Sequence, residues 1–465
     1  MWILLAVALS ACAYYSSVGF GVFWPAVWIA PIPVLAVAFR SSWRTAACAA
    51  FAAYFIGNLN LFAFLGRVMP VPLVLAALAA TALVCPLAVL AARLAARRLP
   101  PAAAAFAFPA AWTSYEFLVS LLSPHGTTMN LAYSQTGCLP LLQIASITGL
   151  WGVTFVVTLV PSAIAVAWYR RAVSALAPAA VVVGVVLGYG VARLQNAPPQ
   201  PAVRVGLAAT DRGIETAFRT DDPAKALAVA QNYAHRIARL AAGGAQVVVL
   251  PEKFVGVTRA DSSAIEQVFS EAARAAHVTV IAGFNRFTQR PPRNVAAVFA
   301  PDGRLVLEYE KRHMLPGPET GYEIGTAVGL FSGPVAQWGV AICKDMDFPA
   351  WSRAYGRRGV RILAVPAWDF ISDGRLHSRM AVMRAVEDGF SMARAAQQGL
   401  LTFSDAYGRI IGETTSYTAP EALLVRSVPA GPGATVYNSL GDWFGWSCVL
   451  GLTGIICWAL GSKRR

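Results

Sequence analysis

Two textures alternate along the chain when only hydrophobic and polar positions are followed. Apolar runs occupy roughly 1–17, 19–39, 46–66, 71–92, 102–122, 141–168 and 173–194, and one more covers 443–461. A bilayer core takes about 20 mostly apolar residues per helix, so the pattern predicts about seven membrane helices before the middle of the chain and one after it. The first run lacks a basic leader and is followed by further spans, which marks it as retained rather than as a signal peptide. In the middle the period changes. VRVGLAA (203–209), QVVVL (246–250), VTVIAGF (278–284), WGVAIC (338–343) and RILAVPA (361–367) read as strands, with helices expected around 223–242 and 376–396. NVAAVFAPDGRLVLEYEK (294–311) and LLTFSDAYGRIIGE (400–413) read as hairpins turned at PDG and AYG. Strands, helices and hairpins together predict a mixed α/β sheet assembly, set off from the first part by the Pro-rich NAPPQPAV (196–203). The expected organisation is a membrane domain over 1–195, an α/β domain over 196–440, and a membrane helix with a basic tail over 441–465.

Composition sharpens this picture. The 465 residues are 57% hydrophobic and only 13% charged, far from an ordinary soluble balance. A net charge of +14 would suit a nucleic-acid partner if it were concentrated, but it is not. From Asn196 to Ser439 there are 26 Lys+Arg against 22 Asp+Glu, which leaves 12 basic residues and only Glu116 and Asp442 as acids elsewhere. The basic residues sit in alternate connections: Arg40 and Arg44, then Arg93, Arg97 and Arg98, then Arg170 and Arg171, with Lys463, Arg464 and Arg465 at the end. Cytoplasmic loops collect such residues. The N-terminus is therefore expected in the cytoplasm, the polar middle on the opposite side, and no nucleic acid as partner.

Of seven cysteines, only Cys343 belongs to the polar middle, and no paired or CxxC spacing signals a disulfide framework or a zinc site. Cys343 ends an apolar strand pattern in AQWGVAICKDMDFPAW (336–351). Two other ionisable groups stand at comparable strand ends, Glu252 in VVVLPEKF and Lys311 in LVLEYEKRHMLPGPE. The C-terminal ends of strands are where α/β sheets build their sites. Taken singly, a strand-end Glu or Lys is more often a solvated surface group and a lone Cys a small buried hydrophobe; their common placement is what singles them out.

The order LPE, EKRHMLPGPE, ICKDMDFP resembles the Glu-Lys-Cys signature of the nitrilase superfamily. The preceding and following apolar runs, with FPAAWTSYEFL (108–118) and NLAYSQTGCLPLLQIASITGLWGVTFVV (130–157), are similar to the apolipoprotein N-acyltransferase family. The resemblance extends over PAWDFISDGRLHSRMAVMRAVEDGFSMARAAQQG (366–399) and the closing hairpin. It implies a polytopic α-helical membrane protein with an α/β nitrilase-like (αββα sandwich) extracytoplasmic domain. It also implies Glu252 as general base, Lys311 as cationic stabiliser and Cys343 as nucleophile. A free thiol is only a few per cent ionised at neutral pH, so a carboxylate and an ammonium beside it fit that role.

The reaction so implied moves a fatty acyl chain from membrane phospholipid through a Cys343 thioester to the N-terminal amine of a diacylglyceryl-cysteine lipoprotein, without metal or other cofactor and with a monomer expected. Its alternatives are a membrane-anchored amidase that resolves the thioester with water, and a non-catalytic interaction module. Glu319 matches a further family carboxylate able to orient Lys311 or Glu252. His313 offers a Cys-His alternative but stands beside a turn, and Arg384, Glu387 and Arg394 are expected to be scaffolding on one long helix and its exit. The pattern departs from the family after the thiol: Lys344 and Asp345 stand where an aromatic residue and Glu are usual, and LPGPE lacks an aromatic before its Glu. Lys344 adds a second ammonium, suited to the thiol or to a lipid phosphate, and Asp345 is a shorter carboxylate.

Overall fold

The computed structural model describes residues 1–212, 214–218 and 222–462, so the expected anchor at Lys463, Arg464 and Arg465 lies outside the described residues. The chain forms two compact units, Met1–Asn196 with Leu440–Arg465, and Ala197–Ser439.

The first unit is helical. Six described helices are long and apolar enough to cross a membrane: Trp43–Val68, Val71–Arg98, Pro101–Leu122, Leu150–Arg170, Val173–Gln195 and Trp443–Gly461. The first two apolar runs form shorter helices, Trp2–Ser17 and Trp24–Arg40. The run expected over 141–168 is broken: two single turns, Leu139–Leu142 and Ala145–Thr148, precede Gly149, whose φ of 66° ends the local helix before Leu150–Arg170 begins.

The arginines of the basic connections are used structurally. Arg93 and Arg97 donate to the carbonyl of Ser41, Arg97 also to Phe39 (3.0 Å), Arg170 to Ala96 (2.9 Å) and Arg98 to Ala459 (3.2 Å). Each supplies a donor to a carbonyl near a helix C-terminus, where a cation also meets the negative end of the helix dipole. The connections at 40–44, 93–98 and 170–171 and the end of the last helix thus gather at one end of this bundle.

The second unit is a two-sheet sandwich. Its first sheet holds β1 (Ala202–Ala209), β2 (Val247–Val249), β3 (Val255–Val257), β4 (Thr279–Arg286), β5 (Arg293–Phe299) and β6 (Leu305–Glu310). The second holds β7 (Gly329–Ser332), β8 (Gln337–Val340), β9 (Ile362–Trp368), β10 (Ser391–Gln397), β11 (Leu400–Ser404) and β12 (Ile410–Thr415). A last strand, β13 (Ala422–Pro429), returns to the edge of the first sheet beside β1. The orders are β13-β1-β2-β4-β5-β6, with β3 paired to β4, and β12-β11-β10-β9-β8-β7.

Alternation of side chains along strands divides the core into three layers. Val203, Val205 and Leu207 of β1 meet Trp338, Val340, Ile362, Ala393 and Phe403 of the second sheet between the two sheets. The opposite face of the first sheet, with Val248, Val280 and Phe284, is covered by the helices Pro223–Ala242 and Ser262–Ala276 through Tyr233, Ile237, Ile265 and Phe269. The outer face of the second sheet, with Leu363, Val365 and Met392, is covered by Tyr355, Ala381, Val382 and Ala385. Helix, sheet, sheet, helix is the αββα arrangement.

One expected element is corrected. The helix expected around 376–396 stops at Asp388, at Gly389 with φ 74°, and Ser391–Gln397 is the fully buried strand β10, paired in parallel with β9. SMARAAQ carries helix-favouring residues, but a strand buried on both faces needs no alternation and reads like a helix by composition. Arg394 therefore lies on a central strand, not at a helix exit.

Candidate active site

The three strand-end residues converge. Glu252 follows β2, Lys311 follows β6, and Cys343 opens a 3-10 turn, Cys343–Asp347, after β8. Two glycines let the first two loops press against the sheet. A Cβ on Gly283 would lie 2.1 Å from the carbonyl oxygen of Pro251, and one on Gly325 2.0 Å from that of Glu310. The end of β9 ties the other side: Glu252 N–H donates to Ala367 O (3.2 Å) and Cys343 Sγ to Trp368 O (3.5 Å). Gln397 Nε2 donates to Glu252 O (2.9 Å) from β10.

The charged groups form one continuous network. Lys311 Nζ donates to Glu252 Oε1 (2.7 Å) and to Glu319 Oε2 (2.8 Å), and Asn294 Nδ2 spans Glu252 Oε1 (2.6 Å) and Glu319 Oε1 (2.8 Å). Lys253 Nζ donates to Glu319 Oε1 (2.5 Å), and Leu315 N–H to Glu319 Oε2 (2.8 Å). Burial is nearly complete, with relative exposures of 1% for Glu252, 2% for Lys311, 2% for Glu319 and 5% for Lys253. Burial alone would lower the pKa of the Lys311 ammonium, but Glu252 and Glu319 outweigh it and hold it well above its ordinary value. Burial would likewise raise the Glu319 carboxyl; Lys311 and Lys253 reverse this and hold it well below the usual carboxylate range.

Cys343 adopts φ 42°, a left-handed backbone that a residue with a Cβ takes at a cost of about 1–3 kcal/mol. The residue is half-buried, yet its sulfur sits deep enough that burial pushes the thiol pKa well up; Glu252 adds to the rise and Lys311 opposes it. The resting sulfur is thus a thiol, and ionising it requires its proton to be taken.

The remaining expected residues have definite places. Asp345 is fully buried and ties the nucleophile turn to the segment after Lys311. Its Oδ2 accepts from Tyr309 OH (2.6 Å) and Ile342 N–H (3.0 Å), and its Oδ1 from the N–H groups of Arg312 (3.2 Å) and His313 (2.9 Å). His313 pairs through Nδ1 with Asp345 Oδ1 (3.0 Å) and stacks on Phe348 with centroids 3.8 Å apart. Lys344 is buried, pairs with Asp347 (3.1 Å) and lies over the ring of Phe348. Arg384 and Glu387 form a fully buried pair (2.9 Å).

Sequence reasoning passed over Asn294 and Lys253, and it took Arg394 as scaffolding without its partner in the pair Arg394–Asp369. That pair is bidentate, at 2.9 and 2.6 Å, and stands one residue beyond the Trp368 carbonyl that takes the Cys343 sulfur. Its only sequence signal was an arginine within an otherwise apolar stretch. Asp369, Asp373 and His377 also bring ligand atoms within 4.8 Å of one another. Both oxygens of Asp369 are already engaged by Arg394, however. Burial would lower the His377 imidazolium, but the neighbouring Asp373 and Asp369 outweigh it and push it up to about 9, so this trio is an internal salt-bridge cluster rather than a good cation site.

A two-sheet sandwich with these loops, carried by a chain of apolar helices, is a nitrilase-type domain in a polytopic membrane protein. The chain belongs to the carbon-nitrogen hydrolase family, which it matches over residues 204–462. Residues 8–163 match the apolipoprotein N-acyltransferase N-terminal domain. Among relatives, an apolipoprotein N-acyltransferase of Geobacter metallireducens is 28% identical over 398 residues, 77% of this chain and 74% of that one. One of Gloeobacter violaceus is 27% identical over 371 residues, 74% of this chain and 69% of that one. An omega-amidase of Bos taurus is 30% identical over 173 residues, 33% of this chain and 63% of that one. With six candidate spans among the described residues and these relatives, the chain is a multi-pass protein of a bacterial inner membrane.

Proposed function

We propose that this protein is an N-acyltransferase that moves a fatty acyl chain from membrane phospholipid to the N-terminal amine of a diacylglyceryl-cysteine lipoprotein through a thioester on Cys343. Similarity to N-acyltransferases in both the N-terminal helices and the α/β unit favours this over hydrolysis. The observation that carries the chemistry is the buried Glu252–Lys311 pair, 2.7 Å apart, beside Cys343: Glu252 N–H and the Cys343 sulfur bond to the adjacent carbonyls of Ala367 and Trp368 at the end of β9.

In this reading Glu252 takes the proton from Cys343 Sγ as the sulfur attacks the ester carbonyl carbon. Lys311 and the backbone N–H of Lys344 receive the oxyanion. Collapse breaks the ester C–O bond, and the lysophospholipid oxygen takes the proton from Glu252. The lipoprotein amine then attacks the thioester carbonyl, Glu252 takes the amine proton, and the C–S bond breaks. The leaving thiolate recovers that proton. Glu319 orients Lys311, and Asp345 holds the nucleophile turn, in which the buried Lys344 ammonium is taken up by Asp347 rather than offered to a lipid phosphate. Residues 196–440 form the catalytic domain, facing the extracytoplasmic side of a monomer, while 1–195 and 441–465 hold it at the membrane. Confining both substrates to one lipid surface raises their effective concentration.

The test uses the full chain in phospholipid nanodiscs. Intact mass should show one acyl adduct, located on Cys343 and absent from Cys343→Ala, and added diacylated lipopeptide should become triacylated. Release of free fatty acid with no transfer to the lipopeptide would replace this reading with a hydrolase; no adduct at all would sink both.

A further inference from the structure

Glu252 and Glu319 present an electrostatic difficulty that Lys311 alone does not resolve. One side-chain nitrogen, Asn294 Nδ2, donates to both carboxylates, at 2.6 and 2.8 Å, so the two are close neighbours in a buried site. Two carboxylates that near each other with a single ammonium between them share a proton, because desolvation and mutual repulsion both penalise the second negative charge. A protonated Glu252 could not accept a proton from the thiol.

We propose that Lys253 is a positioning residue whose ammonium, paired to Glu319, balances the second carboxylate, so that Glu252 and Glu319 both stay ionised beside Lys311 and Glu252 enters the reaction as a free base. Lys253 Nζ lies 2.5 Å from Glu319 Oε1, and both side chains are buried. Three rings surround the ammonium, Phe218 at 5.6 Å, Tyr322 at 5.7 Å and Trp368 at 5.8 Å from their centroids. Their negative faces favour a cation where water is excluded.

Lys253 also adopts φ 46°, a left-handed backbone that costs energy at a residue with a Cβ. That conformation is tolerated where neighbouring residues 252 and 253 both reach one cluster. Two ammonium groups then face two carboxylates, and the network closes without net charge. Among the described residues, the other titratable groups around it are Cys343 on the turn after β8, Tyr322 on the loop after Glu319, and the Asp369–Arg394 pair beyond the sulfur. That pair is internally balanced, so the surplus carboxylate falls to Lys253. The depressed pKa of Glu319, opposed by burial and produced by Lys311 and Lys253, agrees with this arrangement.

The inference rests on the reading of Glu252 as base, so its test does not depend on acyl transfer. Alkylation of Cys343 by iodoacetamide, followed by mass spectrometry of its peptide across pH, reports how readily the thiol gives up its proton. In Lys253→Met the acidic limb of that profile should move up by about 1–2 pH units, the shift expected for a carboxylate losing an adjacent cation. Lys253→Arg should restore it. Should Lys253→Met not fold, the double variant Lys253→Met/Glu319→Gln carries the test, because it leaves one carboxylate facing one ammonium; its limb should lie with the wild type. An unmoved limb in folded Lys253→Met, or a raised limb in the double variant, overturns the proposal. A moved limb without any acyl adduct would keep Lys253 in this role and overturn only the acyltransferase reading.

Discussion

Glu116 of the helical unit and the Glu252–Glu319 pair of the α/β unit are held in opposite ways. In the helical unit, half-buried Glu116 is surrounded by neutral donors: Trp112 Nε1 (3.0 Å), Asn130 Nδ2 (2.6 Å), Leu131 N–H (3.0 Å) and Thr154 Oγ1 (3.2 Å). Asp442 also accepts from a neutral donor, Trp151 Nε1 (2.9 Å). In the α/β unit, Glu252 and Glu319 are held chiefly by ammonium groups. Neutral donors fix a carboxylate in place and tie together the elements that supply them, here the helices Pro101–Leu122 and Leu150–Arg170 and the segment between them. Ammonium groups do the same while keeping mobile protons and a strong field in reach, which chemistry needs. An acid inside an apolar bundle is by default a candidate for function. Beyond their different burial, the two sites are set apart by the charge of their donors.

Glu252→Gln should give the largest difference between them. It keeps the shape of the side chain and removes the base, and the rate of acyl-adduct formation on Cys343 should fall about 10²–10⁴-fold while the folded yield stays measurable. A rate within threefold of wild type would remove Glu252 from the mechanism and the contrast with it.

The same substitution at Glu116 should do the reverse. Glu116→Gln replaces one acceptor oxygen by a donor facing other donors, which should lower thermal stability in detergent by about 1–3 kcal/mol. The adduct rate per folded molecule should remain within about threefold. A 100-fold rate loss with unchanged melting would show that the neutral-donor site is also catalytic.

The contrast also explains what was legible from residues alone. Cys343, Glu252 and Lys311 could be found because each ends an apolar strand pattern, where a reactive group is out of keeping with its surroundings. Asn294 and Lys253 could not. Asn294 stands at the start of an apolar run, as any strand-edge polar residue does, and Lys253 follows a carboxylate in sequence as a surface lysine would; only the fold shows that both point into one cluster. Strand β10 was misread because SMARAAQ has no period of its own. Its identity is set by neighbours on both sides, β9 and β11, which is tertiary information. The breaks at Gly149 and Gly389 were visible as glycines, but that these glycines, among 38, take positive φ was not.

The smallest expected effect probes a third kind of acid, the Asp369–Asp373 cluster, whose partners are Arg394 and a titratable cation. His377 lies 3.5 Å from Asp369 and 3.3 Å from Asp373. Although burial works against its charged form, these carboxylates push it up to about 9 from an ordinary 6.5. A folded-state pKa above the unfolded value means that folding takes up a proton. The stability this contributes is complete below about pH 6.5 and is lost as pH rises through about 9. Thermal melting of wild type and His377→Gln should therefore differ most near pH 6 and converge above about pH 9. A difference that stays constant over that range would mean that His377 holds the cluster by packing alone, and that arginine carries all of its positive charge.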